Sequence, residues 1–251
     1  MGFDTLKEEK LLKPEDFVNC LITARKQLLS GFGGRKRINR ELLKEALTPD
    51  HYAISLSGEP LLYPYLPELV KYLRDKKKAR SVFIVSNGSL PEAFEKLVAL
   101  RALPSQFYIS MVAGSSSTYT KIVVPKLKDS WQRHTRFLEL LSKSNIRSVA
   151  RFTLIKGMND SPRELKALAE LLTRNPVDFV EVKAYMFLGY SRKRLTIENM
   201  PIHDYVRNFA EKFNELTPYR IIDEHPASRI VLLKNKNSKE KKSLFPLEET
   251  N

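Results

Sequence analysis

The stretch HYAISLSGEPLLYPYLPELVKYL, residues 51–73, packs three signals into one line. YAISLSG is an apolar run closed by glycine, which reads as a buried strand. Gly58-Glu59-Pro60 follows as a loop. In PYLPELVKYLRDK, Leu66, Leu69, Val70 and Leu73 recur at the spacing of one helical face. Strand, loop and amphipathic helix form one β/α unit.

The unit repeats along the chain. SVFIVSNG (81–88) precedes LPEAFEKLVAL (90–100), and QFYISMVA (106–113) precedes SWQRHTRFLELLSKS (130–144). SVARFTLIKG (148–157) precedes SPRELKALAELLTR (161–174), and FVEVKAYM (179–186) precedes PIHDYVRNFAEKFNEL (201–216). Strands this apolar are expected to be parallel and buried on both faces, with helices as right-handed crossovers. YRIIDEH (219–225) and RIVLLKN (229–235) close the fold. Upstream, apolar residues at helical spacing predict a helix over 14–30, ended by the glycines of GFGG (31–34) and followed by a short helix in INRELLKEAL. The expected organisation is one partial-barrel domain over 1–233, with N-terminal helices in 1–50 and repeats and closing strands in 51–233. The basic polar tail 234–251 is expected to be disordered.

The 251 residues are 42% hydrophobic and carry a formal net charge of +14. That length and composition suit one sizeable core. The charge favours a polyanionic partner, nucleic acid first, against the alternative of a charge-rich, heat-adapted surface. The single cysteine, Cys20, sits in a helical pattern among apolar residues and reads as a small core residue. No run approaches the length of a membrane span and no secretory segment opens the chain, so a soluble cytoplasmic protein is expected.

In β/α folds of this kind, chemistry gathers at the C-terminal ends of the strands. Those ends read Ser57-Gly58-Glu59, Ser86-Asn87-Gly88, Ser110, Lys156-Gly157, and Lys183 to Tyr190. Glu59 can accept hydrogen bonds from an ammonium group, or cap the next helix. Ser86 and Asn87 suit ribose hydroxyls, or a simple turn. Arg151, Lys156 and Lys183 need anionic partners, which a carboxylate or phosphate ligand or an internal ion pair would supply. AYMFLGYSRKRL (184–195) interleaves aromatics with Arg192, Lys193 and Arg194, a composition that can stack on unpaired bases and meet phosphates.

Longer segments carry a resemblance. AISLSGEP, SNG, FYIS, RFTLIKGMN, EVKAYMFLGYSRKRLTIENMP and DEHPASRIVLL resemble the radical SAM family that makes 4-demethylwyosine in tRNA, over about 28–233. The resemblance implies a partial (β/α) barrel, S-adenosylmethionine, a four-iron four-sulfur cluster, pyruvate as co-substrate, and the guanosine beside the anticodon of phenylalanine tRNA. By matching position it implies cofactor contacts at Gly58, Glu59, Ser86, Asn87, Ser110, Arg151, Thr153 and Met186. It implies substrate or tRNA contacts at Lys156, Asn159, Lys183, Tyr185, Ser191, Arg192 and Arg194.

Three departures qualify it. The family's CxxxCxxC motif, whose three thiolates hold the cluster, is absent from these residues, so no metal ligand is assigned and S-adenosylmethionine binding is expected to be weak or lost. Val112 stands where relatives carry aspartate, and Val124 where they carry arginine. The first family strand and the cluster loop are also missing. Three readings follow: a demethylwyosine synthase-like tRNA-binding protein without catalysis of its own, the larger part of a split or truncated synthase that needs a separate cysteine-bearing fragment, or a cluster-free S-adenosylmethionine-dependent tRNA methyltransferase.

Overall fold

The computed structural model of the chain describes residues 11–55 and 58–244. Ser57, assigned above to a strand end, and 245–251 of the expected tail lie outside the described residues. Five parallel strands, β1 (His51–Ile54), β2 (Ser81–Ser86), β3 (Gln106–Met111), β4 (Ser148–Leu154) and β5 (Phe179–Ala184), are followed by β6 (Tyr219–His225) and β7 (Ile230–Asn235). They make one sheet in the order β1-β2-β3-β4-β5-β7-β6, with β7 antiparallel to both β5 and β6. β1 pairs only with β2, and no strand precedes it among the described residues.

Each crossover carries helix where the apolar spacing predicts it. α1 (Pro14–Leu29) and α2 (Arg40–Leu47) precede β1, and α3 (Leu66–Lys71) runs into a π-helical turn at Tyr72–Lys76. α4 (Pro91–Ala99) follows β2. α5 (Ser116–Val123) and α6 (Ser130–Ser142) follow β3, α7 (Pro162–Arg174) follows β4 and α8 (His203–Leu216) follows β5. Apolar side chains on the helix-facing side of the sheet, among them Val82, Ile84, Phe107, Ile109, Phe152 and Val182, are fully buried and build the core with Phe94, Phe137, Leu168 and Phe213.

The expectation of strands buried on both faces is corrected. The residues alternating with that core, including Val85, Tyr108, Ser110, Arg151, Thr153 and Lys183, are half-buried and face the lumen of an incomplete barrel. Cys20 is exposed rather than core. Its helix buries Pro14 and Val18, and leaves Leu21 and Leu28 exposed, so apolar neighbours did not fix which side faced inward.

The tail is the second correction. β7 runs to Asn235, and the chain beyond it returns across the N-terminal ends of the strands. Buried Arg147 donates to Gln106 Oε1, to Glu240 Oε2 at 3.1 Å, and to the carbonyls of Lys241 and Lys242 at 2.6 and 2.9 Å. Its guanidinium lies 4.2 Å from the Phe179 ring. Ser238 donates to Asp178, and Lys242 pairs with Asp223 at 2.9 Å. The segment floors a lumen cavity of about 310 Å³ lined by Phe83, Tyr108, Phe179 and Glu181. Compositional polarity predicted disorder because it does not register a buried cation, distant in sequence, whose donors need acceptors.

Candidate functional site

The strand ends β1 to β5 and their loops form one rim. Glu59 bridges its first two loops. Its Oε1 accepts from the Leu61 N–H at 3.2 Å, capping the 3-10 turn Pro60–Leu62, and its Oε2 accepts from the Asn87 N–H at 2.7 Å. The capping alternative is therefore realised, and the carboxylate also ties the Gly-Glu-Pro loop to the Ser-Asn-Gly turn. Burial pushes the Glu59 carboxyl above its usual range, against the lowering effect of hydrogen bonds from Asn87, Ser86 and Leu61. Gly58 has φ +88°, where a side chain is strained, and open space lies where a Cβ would point.

The Ser-Asn-Gly turn is held on every side. Ser86 Oγ accepts from the Gly88 N–H at 3.0 Å, and Asn87 Oδ1 from the Ser89 N–H at 2.9 Å. The Asn87 carbonyl accepts from His134 Nδ1 at 3.0 Å. Sequence reasoning missed His134. The available signal was a histidine in the apolar register of α6, alongside Phe137, Leu138 and Leu141.

Farther round the rim, Ser110 and Arg151 are register neighbours, as are Thr153 and Lys183. Arg151 makes a two-pronged ion pair with Glu181, at 2.7 and 3.3 Å, and lies 4.5 Å from the Tyr108 ring. The internal-pair alternative holds for this cation. Lys183, half-buried, makes no hydrogen bond or ion pair among the described residues, so it is a rim cation left open to an anion.

Three residues expected to contact substrate or tRNA are held by hydrogen bonds within the fold. Asn159 is fully buried: its Oδ1 accepts from the Ile155 N–H, and its Nδ2 donates to the carbonyls of Val112 and Thr153. It knots β3 to β4 because those strand-end backbone groups have no ladder partner there. Tyr185 is buried, its hydroxyl donating to Ser191 Oγ at 2.7 Å, while Ser191 donates to the Leu188 carbonyl at 2.6 Å. Arg194 donates to the carbonyls of Lys121 and Ile122, satisfying the C-terminus of α5.

The outer residues of this region remain presented. Met186 is exposed. Arg192 lies over Phe187 at 5.2 Å and Lys193 over Tyr190 at 5.0 Å. Lys156 lies 5.6 Å from the Tyr205 ring, and its loop is clasped to Asn199 through both backbone groups. Val124 is exposed and left-handed, with φ 49°, an outlier for a β-branched residue.

Residues 30–172 match the Radical SAM superfamily, and 174–235 match the Wyosine base formation family. The chain is 45% identical over 222 residues to the S-adenosyl-L-methionine-dependent tRNA 4-demethylwyosine synthase of Pyrococcus abyssi, covering 88% of this chain and 64% of that one. It is 40% identical to the Methanocaldococcus jannaschii enzyme of the same name, covering 93% and 72%. The chain belongs to the radical SAM tRNA 4-demethylwyosine synthase family. A solved structure of TYW1 with a lysine-pyruvate adduct bound superposes with TM-score 0.82 at 37% identity, covering 93% of this chain and 73% of that one. The partial barrel is thus the family's own fold. This chain spans less than two thirds of the length of the Pyrococcus relative.

The radical SAM family uses S-adenosylmethionine with a four-iron four-sulfur cluster, and three thiolates hold such a cluster with one iron open. The residues here do not fit it. The 251 residues contain one cysteine, exposed on α1, and no group of three potential ligands is assembled among the described residues. The bridged Glu59–Asn87 loops and the open space above Gly58 are built from this chain alone.

Proposed function

We propose that this chain binds S-adenosylmethionine and tRNA as a member of the wyosine-forming family, and that these 251 residues do not turn over by themselves. One observation carries the reading: Glu59 joins two rim loops through Asn87 while keeping unused acceptor capacity at the lumen mouth. The methionine ammonium is assigned to Glu59, the ribose to Asn87, whose Nδ2 has no partner among the described residues, and an anionic group to Lys183. The relatives are named as tRNA-modifying enzymes, and half-buried Phe187 under exposed Arg192, with the exposed pair Tyr190–Lys193, suits unpaired bases and phosphates. Anticodon-loop guanosine of phenylalanine tRNA is the assigned target, in the cytoplasm. Among the described residues, no helix is long and apolar enough to cross a membrane.

A second reading has its own observation. β1 is an edge with one neighbour among the described residues, and a parallel strand edge is a template for another strand. A separate cysteine-bearing polypeptide adding a strand there would supply the thiolates this chain lacks.

Calorimetry separates these claims. Wild-type chain should bind S-adenosylmethionine weakly, and Glu59→Gln should weaken it by roughly tenfold, the equivalent of about 1.4 kcal/mol, since charge-assisted hydrogen bonds contribute about 1.5–3 kcal/mol. Micromolar binding indifferent to that substitution would show the ligand elsewhere.

For tRNA, the Arg192→Ala, Lys193→Ala double variant should weaken binding and flatten the salt dependence by about two phosphate contacts, roughly 0.7–0.9 in log–log slope for each. Arg194 is left intact because it holds α5. An unchanged slope would remove this loop from the RNA surface.

A further inference from the structure

His134 is buried, with 1% of its surface exposed, and is used at one nitrogen only. Nδ1 lies 3.0 Å from the Asn87 carbonyl. A carbonyl can only accept, so Nδ1 carries the proton. Nε2 then presents a lone pair, and it is buried with no partner among the described residues. Burial pushes the imidazole down to about 4, so the ring is neutral in the folded protein and this tautomer is the single one consistent with the contact.

The ring packs against Tyr119 at 5.3 Å and Trp131 at 6.0 Å, an aromatic nest that phenylalanine would fill without an orphaned atom. A buried polar atom left unpaired is destabilising. What histidine gains over phenylalanine in this nest is the hydrogen bond to Asn87.

That bond meets a second grip. The Asn87 N–H is held by Glu59 from the neighbouring loop, so the residue is pinned at its amide by a carboxylate and at its carbonyl by an imidazole. Gly88 lies against the same ring: a Cβ there would meet His134 Nδ1 at 2.9 Å and Ile109 Cδ1 at 3.1 Å, and φ is +73°. The turn therefore cannot slide toward the core or lift from it without breaking one of these contacts. The Asn87 side chain is exposed on the rim above.

We propose that His134 is a positioning residue for the rim: its Nδ1–H fixes the Asn87 carbonyl so that the Ser86-Asn87-Gly88 turn presents one shape to the adenosine part of S-adenosylmethionine. The adenosine assignment rests on the cofactor reading above; the fixing of the turn does not.

Two substitutions test it. His134→Phe fills the nest and removes the donor. His134→Asn places an amide Nδ2 near the lost Nδ1 and restores a donor. In His134→Phe, the thermal midpoint should hold or rise. Hydrogen exchange at Asn87 and Gly88 should accelerate by tenfold or more, and S-adenosylmethionine affinity should fall by about tenfold. His134→Asn should recover both in large part. Exchange at Asn87 and Gly88 unchanged in His134→Phe overturns the proposal whatever binds. Faster exchange with unchanged affinity overturns the ligand-positioning role and leaves the histidine a structural clamp. A wild-type chain that binds no S-adenosylmethionine sinks the cofactor reading alone, because the exchange measurement still decides the histidine. Should His134→Phe fail to fold, exchange and affinity in His134→Asn and His134→Gln decide it: the ordering should follow donor placement, and both variants equal to wild type would overturn it.

Discussion

Replacing Gly114 with alanine should destabilise the chain by at least about 3 kcal/mol, the upper end of what overpacking usually costs. A Cβ at that position would stand 2.2 Å from the backbone N of Leu168, 2.5 Å from its Cα and 2.7 Å from the carbonyl carbon of Ala167. These are main-chain atoms in the middle of α7, so no side chain can rotate away; the helix or the rim loop must move as a body. Leu168 is fully buried, and moving α7 disturbs the core on both sides of it. For a chain of this size the thermal midpoint should fall by roughly 6 °C or more. Gly34→Ala is the control, because nothing lies within 4 Å of its Cβ. Urea titration of both variants gives the comparison. A Gly114→Ala loss below about 1 kcal/mol would mean that α7 and the loop yield easily, and that the close approach is not a fixed element of the rim.

The residues that were legible in the sequence are those whose periodicity was set locally. Phe107, Ile109 and Met111 alternate as strand residues facing helices, and Phe137, Leu138 and Leu141 recur as one helical face. α5 was not legible. SSSTYTKIV is rich in Ser, Thr and β-branched residues, which disfavour helix interiors, and the helix stands because Ser115 caps it and Glu164, far along the chain, meets its first turn. The tail segment 236–244 was hidden for the same reason: Arg147 and Asp178 hold it, and both are distant in sequence.

Gly58 and Glu59 could be placed on the rim from the strand before them, but the link from Glu59 to Asn87 needed the register of β1 beside β2. Arg151 was rightly read as a cation that requires an anion. Composition could not choose between a ligand and Glu181, which the parallel register sets directly beside it. Charge was legible only as a total. The basic residues Arg192 and Lys193 follow the C-terminal end of β5, whereas Lys236, Lys239, Lys241 and Lys242 follow β7 at the opposite end of the barrel. One RNA surface cannot use both groups at once without reaching around the barrel. The loop beyond β5 shares the rim with Glu59, so the salt dependence should track that loop and not the tail.

Glu164→Ala should cost on the order of 4 kcal/mol, because hydrogen bonds to a charged group each contribute about 1.5–3 kcal/mol and a buried donor left alone is penalised further. Glu164 is 4% exposed. Its Oε1 accepts from the Gly114 and Ser115 N–H groups at 2.5 and 3.1 Å, and its Oε2 from the Ser115 and Thr118 hydroxyls at 2.7 and 2.8 Å. The carboxylate sits at the N-terminus of α5, where the helix dipole favours negative charge. Alanine would orphan two backbone donors and the Thr118 hydroxyl at once, and leave the Ser115 hydroxyl only its contact with Ser117 Oγ at 3.2 Å. Glu164→Gln keeps one acceptor oxygen, and the hydroxyls can turn to accept from its amide, so about half the loss should return. The same seat joins Gly114 to α7, which makes the two substitutions interdependent. Once alanine at 114 has pushed the loop off the helix, the carboxylate has already lost its donors. The double variant Gly114→Ala, Glu164→Ala should therefore be less destabilised than the sum of the two, by more than about 1 kcal/mol. Strict additivity in denaturant titration would show that the loop is held at two separate points. Coupling of the expected sign would mean that the rim after β3 is carried by α7 through one shared contact.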